Sequence, residues 1–476
     1  MYSPQDIRQA ILETLPVDVA ESGRPPAPED IYIPPGHIKA LHLDCSLIIG
    51  ARGVGKSFWT LVLASQQSRT ALGANVIRDL QNVDVGIGFS TKPNSSAYPD
   101  QDSFAKLLGS FTPYDIWRGI IGRWLGGMVT GSEIPTNGWD STVQWVTENP
   151  EKLALLLEQA GNTLASAKKK GLIVFDALDR TSHNWATMDE TLRGLLRAVL
   201  WLKRHPNLYA KVFLREDQFA RTVADFPDAS KLLNTKQELN WAAHDLHGML
   251  WQRLCNAKGD YGTCLRTIYT EVVGSAPLQN NAIWQLADEI KRDTGKQKAL
   301  FEKLSGPWMG RDHRRGVPYS WVVGHLADGN GRVSPRSFIA GIRAAAQHSD
   351  ERYPDHNFAL HYEGIKTGIQ AASKIRVDNE IGEEYDWVPK IMQPLEGLSV
   401  PCEFSIIEER WKASFRDKPI QSSTLPPQAS DWEGKFGELK RLGIFETMRD
   451  GRANLPDLYR VAFGIGRRGG VRPIVK

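Results

Sequence analysis

Few cysteines, no long apolar run and almost no net charge are the first features of this sequence. The four cysteines, at 45, 255, 264 and 402, share no metal-ligand spacing. They speak against a zinc module or a disulfide scaffold and read as reduced thiols of an intracellular chain. No apolar run approaches the ~18 residues that a membrane span requires. The opening stretch MYSPQDIRQA has neither the basic nor the apolar region of a secretory signal. The expectation is a soluble, cytoplasmic protein without a membrane partner. Charge of one sign is also missing: 58 basic residues face 55 acidic ones, a net of +3. So even a balance does not by itself point to nucleic acid or lipid, and local distribution must decide. No internal repeat is visible. What is present is ordinary globular composition, 41% hydrophobic and 24% charged over 476 residues. That is ample for a packed core and for roughly three domains.

Along the chain, five segments differ in character. Residues 1–36 hold seven of the 27 prolines, including RPPAPEDIYIPPG, and are expected to pack as an extended leader. Residues 37–265 alternate strand and helix patterns: SLIIG, GLIVFDAL and YAKVFLRE read as buried strands, and TLRGLLRAVLWLKRH has helical spacing. Strands separated by helices predict a parallel sheet covered on both faces, an α/β core. Between its first two strands, roughly residues 70–168 suggest further α/β units plus an insertion. Residues 266–350 read as a helical lid, containing NAIWQLADEIKRDTG, the basic loop MGRDHRRGVP and PRSFIAGIRAAAQHS. Residues 351–395 are a connector of no clear type. In 396–476, the helical DWEGKFGELKRLG precedes a hairpin turn at Asp450-Gly451 and a short final helix in PDLYRVAFGI. This order suggests a winged helix.

One segment carries specific chemistry. Gly50-Ala51-Arg52-Gly53-Val54-Gly55-Lys56-Ser57 matches G-x-x-x-x-G-K-[ST], with the apolar strand SLIIG before it and a helix expected over Ser57–Gln67. Glycines let the backbone wrap a phosphate with its N–H groups inward. The following helix points its N-terminal dipole at the anion. Lys56 reaches the β- and γ-phosphates, and the Ser57 hydroxyl holds Mg²⁺. Such a metal needs a carboxylate at a neighbouring strand tip, and LIVFD supplies Asp176. The next position, where hydrolytic P-loop ATPases carry the acid that orients water, is Ala177. Asp179 either takes that role from two residues further on or caps the following loop. Arg215 ends the strand KVFLR and either faces the phosphates or pairs with Glu216 or Asp217. No N-K-x-D-type segment is found, so ATP is expected rather than GTP. Arg180, Arg253, Arg311, Arg314 and Arg315 are candidates for a finger acting across a subunit boundary. The tail RVAFGIGRRGGVRPIVK carries Arg460, Arg467, Arg468, Arg472 and Lys476 and no acid. It either follows a phosphate backbone, making DNA a partner, or is simply solvated.

The motifs GARGVGKS, LIVFDALDR, VFLRED and SPRSF, in this order and ahead of a winged-helix pattern, resemble the AAA+/STAND side of the P-loop ATPases. KAP-type signalling and defence ATPases carry a similar D-x-L-D-R segment. The order of core, lid and winged helix is also similar to that of the origin-recognition ATPases. The resemblance covers roughly residues 37–350 and, more loosely, 396–476. It implies that Gly50, Arg52, Gly53, Val54, Gly55, Lys56, Ser57 and Phe58 hold the nucleotide, and that Ser57 and Asp176 hold Mg²⁺. It makes Arg215 the first phosphate sensor and Arg336, opening the helix of SPRSF, the second. Ala177 departs from the pattern, where origin-recognition proteins have Glu and KAP proteins Asp, and this implies slow hydrolysis. The expected function is an ATP-dependent conformational or assembly switch, set by analogy in bacterial defence or stress. No nuclease, protease or TIR-like motif is recognisable, so a partner chain would carry an effector, and a homo-oligomer is expected. The alternative is a DNA-binding ATPase of replication, transposition or transcription.

Overall fold

A computed structural model describes residues 2–17, 23–73, 77–182, 184–219, 222–280, 282–416, 420–424 and 426–473. The chain divides into two compact units, Glu21–Asn240 and Met1–Ala20 with Trp241–Lys476.

The Glu21–Asn240 unit is an α/β P-loop fold. Its five strands are β1 (Leu47–Gly50), β2 (Val83–Phe89), β3 (Lys170–Phe175), β4 (Leu208–Arg215) and β5 (Gln237–Leu239). They form one parallel sheet in the order β2-β3-β4-β1-β5. The apolar runs Leu47–Ile49, Leu172–Phe175 and Val212–Leu214 are fully buried, as a sheet covered on both faces demands. Residues 70–168 contribute the edge strand β2 and then the helices Gln101–Leu108, Pro113–Gly126, Trp139–Glu148 and Pro150–Ser166. Gly86 and Gly88 in β2 are required by close packing. A Cβ on Gly86 would stand 2.4 Å from the Trp124 ring, and one on Gly88 would stand 2.3 Å from Phe175. Two rings thus lie directly on the strand.

Within β4, Lys211 is fully buried. Its ammonium donates to the carbonyls of Ala40, His42 and Cys45 at 2.8, 2.6 and 2.8 Å. Burial pushes its pKa down to about 8. The side chain therefore fixes the turn that delivers the chain into β1. His37 does similar work on the other side. Trp59 Nε1 donates to its Nδ1 at 3.2 Å, which leaves the proton on Nε2, 3.0 Å from the Asn240 carbonyl. Burial pushes this ring down to about 4, so it stays neutral.

In the other unit, the leader is not extended throughout: Pro4–Thr14 is a helix. Ser3 and Asp6 form a reciprocal capping box, Pro4 occupies the first turn, and Ile7, Ala10 and Ile11 make a buried stripe. Arg8, fully buried, donates from Nε to the Ala359 carbonyl at 3.0 Å and from Nη1 to Asp350 at 3.3 Å. Arg343 caps the other end through the carbonyls of Leu12 and Leu15. The compact-unit boundary falls at Asn240, whereas the sequence pattern ran the core to 265. The helix Ala243–Cys255 packs instead with the Gly259–Val273 and Thr294–Ser305 helices. Residues 351–395 are likewise not a bare connector. Their Tyr362–Ile375 helix packs against the Pro335–Arg352 helix.

The core of this unit is pH-sensitive. His247, fully buried, stacks on Tyr319 (centroids 4.0 Å) and meets the edges of Phe301 and Phe338. Its Nε2 lies 3.0 Å from the Tyr319 carbonyl. Burial pushes its pKa from 6.5 to about 3. The unfolded chain therefore takes up a proton below pH 6.5 that the folded ring refuses until about pH 3. Stability falls as the pH drops through that window, by up to ~1.4 kcal/mol per pH unit. Urea midpoints at neutral and acid pH should show a shallower loss in His247→Phe than in wild type. Equal losses would contradict this assignment.

Further on come β6 (Leu278–Asn280) and β7 (Ile283–Gln285), a small hairpin, and β8 (Ser399–Val400). The C-terminal segment has the helices Phe404–Phe415 and Trp432–Arg441. The hairpin β9 (Glu446–Thr447) and β10 (Ala453–Asn454) follows, closed by a Met448 N–H to Arg452 carbonyl bond of 2.8 Å at the expected Asp450-Gly451 turn. The final helix is only Asp457–Arg460, shorter than PDLYRVAFGI suggested, and β11 (Gly466–Arg467) then pairs with β8. Among the described residues, no helix is long and apolar enough to cross a membrane.

Candidate functional site

The chain after β1 turns sharply. Gly53 and Gly55 take φ of +73° and +104°, a region open mainly to glycine. Gly55 is the residue from which the Lys56–Ala64 helix starts, and Trp59 N–H returns to its carbonyl at 3.0 Å. Val54 is buried, while Arg52, Ser57 and Phe58 are half-buried, the Phe58 ring edge-on to Trp59. Lys56 lies back over the loop: its Nζ donates to the carbonyls of Gly50 and Ala51, both at 2.9 Å. Burial first, and the Arg215 guanidinium second, push this ammonium down to about 8; Asp176, Asp179 and Asp217 pull the other way. Those four side chains therefore all act on the Lys56 charge.

The strand order explains how. Arg215, at the end of β4, is in register with Gly50, the first glycine of the loop. Asp176 directly follows β3, and its N–H donates to the Phe89 carbonyl at 3.0 Å. Loop, carboxylate and guanidinium thus meet at the carboxyl ends of three adjacent parallel strands, where open α/β sheets bind their ligands. Asp176 is only 3% exposed. Ala177 then takes a left-handed conformation, φ 55° and ψ 37°, rare for a residue with a Cβ. It starts the tight turn Leu178–Thr181, which holds Asp179 half-buried in the field of Lys56. Among the described residues, the Asp179 carboxylate makes no capping hydrogen bond to that turn.

Arg215 is buried, and it does pair with Asp217: Nε and Nη2 donate to the two carboxylate oxygens at 2.9 and 2.6 Å. Gln218, also buried, accepts the Arg215 backbone N–H at 3.1 Å. The sequence offers Asp217 as a partner of Arg215 but does not single out Gln218. The run R-E-D-Q at a strand end was the available signal. The other predicted residues stand elsewhere. Arg336 is half-buried in the first turn of the Pro335–Arg352 helix, after Ser334 and Pro335. It belongs to the other compact unit, as do Arg253, Arg311, Arg314 and Arg315. Arg180 is exposed beside the site. Of the basic tail, Arg467, Arg468 and Arg472 are exposed. Arg460 is not: it is fully buried, with Nε and Nη2 2.8 and 2.5 Å from Asp457 Oδ1. That internal ion pair removes Arg460 from any external contact. Lys476 lies outside the described residues.

Fold and loop geometry together define a P-loop α/β protein with an added strand, β4, between the two strands that end in the loop and in Asp176. No family model and no curated protein matches the chain. Among solved structures it is similar to the Aeropyrum pernix ORC1 protein in complex with DNA, at 15% identity over 86% of this chain and 83% of that one, TM-score 0.34. It is also similar to the Aeropyrum pernix ORC2 protein in ADPNP-ADP complexes, at 12% identity over 95% and 93% of the two chains, TM-score 0.34. The ADP form of that protein gives 13% identity over 95% and 94%, TM-score 0.36. At such scores the reading of the site rests on its own residues.

Proposed function

We propose that this chain is an ATP-binding, slowly hydrolysing P-loop ATPase of AAA+ type that works as a nucleotide-dependent conformational switch. The observation that carries the proposal is the convergence of Lys56, Asp176 and Arg215 on one strand-end crevice. On this reading Lys56 exchanges the Gly50 and Ala51 carbonyls for phosphate oxygens, and the N–H groups of the loop and helix start face the same anion. The residues fit a magnesium ion: a half-buried serine hydroxyl and a buried carboxylate are hard oxygen donors. Mg²⁺ is commonly held by one or two such groups plus phosphates. Ser57 and Asp176 would hold it, and it would supply charge neutralisation on the phosphates. Arg215 is positioned by Asp217, and its guanidinium can turn to a γ-phosphate only by loosening that pair. The STAND or KAP refinement is supported only by the segment Asp176–Arg180. A setting in defence or stress finds no support among the described residues. Assembly into a homo-oligomer and an effector chain remain part of the proposal. DNA binding is the second reading, favoured by Arg467, Arg468 and Arg472, exposed and close in sequence.

Rate tests the first reading. With Ala177 in place of the water-orienting acid, phosphate release by the purified chain should stay well below ~10 s⁻¹. Asp179→Ala should slow it a further tenfold or more, since the carboxylate acts on the Lys56 charge and, among the described residues, makes no hydrogen bond. Turnover of tens per second by wild type, or no loss in Asp179→Ala, would contradict this reading.

A further inference from the structure

Two basic segments far apart in sequence are linked by contacts within the Trp241–Lys476 unit. The first is the loop between the Thr294–Ser305 and Pro318–Leu326 helices. It is closed at its base by a Met309 N–H to Gly316 carbonyl bond of 2.9 Å, with Met309 buried beneath. Asp312 Oδ1 accepts the Arg314 backbone N–H at 2.9 Å, so the acid is engaged in shaping the loop. Arg311, Arg314 and Arg315 project from this fixed frame, all exposed. Among the described residues their guanidinium groups make no hydrogen bond or ion pair. The second segment is β11 and the turn after it, with exposed Arg467 and Arg468.

A chain of contacts joins them. The Trp321 ring lies against Gly316, where an added Cβ would stand 3.2 Å from its Cδ1. Trp321 stacks on His325 at 3.9 Å, and His325 Nδ1 is 2.5 Å from Asp457 Oδ2. Asp457, hydrogen-bonded to His325 and paired with buried Arg460, lies 4.0 Å from Arg467 Nη1. Asp312 and Asp457 are thus both engaged within the unit, and among the described residues Arg311, Arg314, Arg315 and Arg468 make no side-chain ion pair.

We infer that Arg311, Arg314, Arg315, Arg467 and Arg468 form one phosphodiester-binding surface that engages duplex nucleic acid through its backbone. Guanidinium groups suit phosphate because they match it bidentately. A duplex fits better than a single strand, because a single strand is gripped largely by stacking on free aromatic faces. Here Trp308 is half-buried with the His313 ring 6.1 Å away, and Trp321 is covered by His325. Of the exposed side chains of the loop, the three arginines outnumber the single acid, Asp312. This inference deepens the DNA-binding reading and is independent of the ATP site.

The test is fluorescence anisotropy with a labelled duplex of about 30 base pairs and random sequence, titrated between ~50 and ~200 mM KCl. Wild type is compared with Arg311→Gln/Arg314→Gln/Arg315→Gln and with Arg467→Gln/Arg468→Gln. The control Lys92→Gln/Lys106→Gln/Lys168→Gln removes three exposed cations from the other unit. The loop variant should bind at least tenfold more weakly at low salt. Its salt slope should fall by about 2 to 3, since each lost phosphate contact removes ~0.9. The tail variant should lose about 2, and the control should match wild type. Urea unfolding midpoints of all variants, followed by tryptophan fluorescence, should equal wild type, which shows that they fold. Duplex binding unchanged in the loop variant overturns this surface while leaving the tail reading. A single strand bound more tightly than the duplex also overturns it. Absence of duplex binding by wild type overturns both this surface and the DNA-binding reading.

Discussion

Lys56→Ala should abolish measurable ATP binding while leaving the fold as stable as wild type. Its ammonium lies back over the loop, and its two present partners, the carbonyls of Gly50 and Ala51, are neutral. Exchange of those carbonyls for phosphate oxygens creates charge-assisted bonds, each worth ~1.5–3 kcal/mol. Two such bonds correspond to an affinity loss of more than about a hundredfold when they are deleted. The stability side follows from the direction of the pKa. The folded state already disfavours the charged form, held down to about 8. Removing that cation therefore costs the fold little. Equilibrium dialysis with labelled ATP and a thermal melt of the same sample separate the two effects. Retained affinity in a folded Lys56→Ala protein would remove the loop from the site.

Asp457→Ala should destabilise the Trp241–Lys476 unit by ~3–5 kcal/mol, the range for breaking a buried ion pair from one side. The carboxylate is 3% exposed and holds three parts of the unit at once. It pairs with fully buried Arg460, takes His325 at 2.5 Å from the Pro318–Leu326 helix, and accepts the Val471 N–H at 3.5 Å. Interaction with His325 and Arg460 holds its pKa below the usual carboxylate value despite burial. That stability is present above the unfolded carboxylate pKa and is lost as the pH falls through the folded one. The single change strands the Arg460 guanidinium in the interior. Asp457→Ala with Arg460→Met should recover part of the loss, because no unpaired charge remains. Urea unfolding followed by tryptophan fluorescence reads both. A double variant no better than the single one would mean that the His325 and Val471 contacts, not the stranded guanidinium, carry the cost.

Much of the P-loop core is legible in the sequence because its chemistry is local. Gly50–Ser57 and the strand that ends in Asp176 each put their functional group next to a run that dictates the element. The edge strand β2 was hidden because Gly86 and Gly88 break its apolar pattern, and the reason for them, two aromatic rings on the strand, is a long-range packing fact. The leader helix was hidden by the prolines around it, although Ser3, Pro4 and Asp6 spell its start. Burial of Arg460 was illegible for a similar reason. A tail rich in arginine looks uniformly basic, and only the fold distinguishes the residue that pairs inward with Asp457 from those that face out. The grip of Asp217 on Arg215 was weighed from sequence as a surface pair; the structure places it inside the site.

The central claim is that the crevice holds a triphosphate and that its γ-phosphate changes the relation of the two units. An Arg336–phosphate contact is the proposed link, since ATP offers that partner and ADP does not, and only such a difference can shift a conformational balance. All four native cysteines are buried, so spin labels can be placed at exposed sites, Lys92→Cys in one unit and Glu409→Cys in the other. The measurement is the inter-label distance distribution without nucleotide, with ADP and with a non-hydrolysable ATP analogue, each with Mg²⁺. The account predicts a distribution with the analogue that differs from that with ADP, and loss of this difference in both Lys56→Ala and Arg336→Ala. Identical distributions in all three states, in wild-type protein that binds the nucleotide, would contradict it.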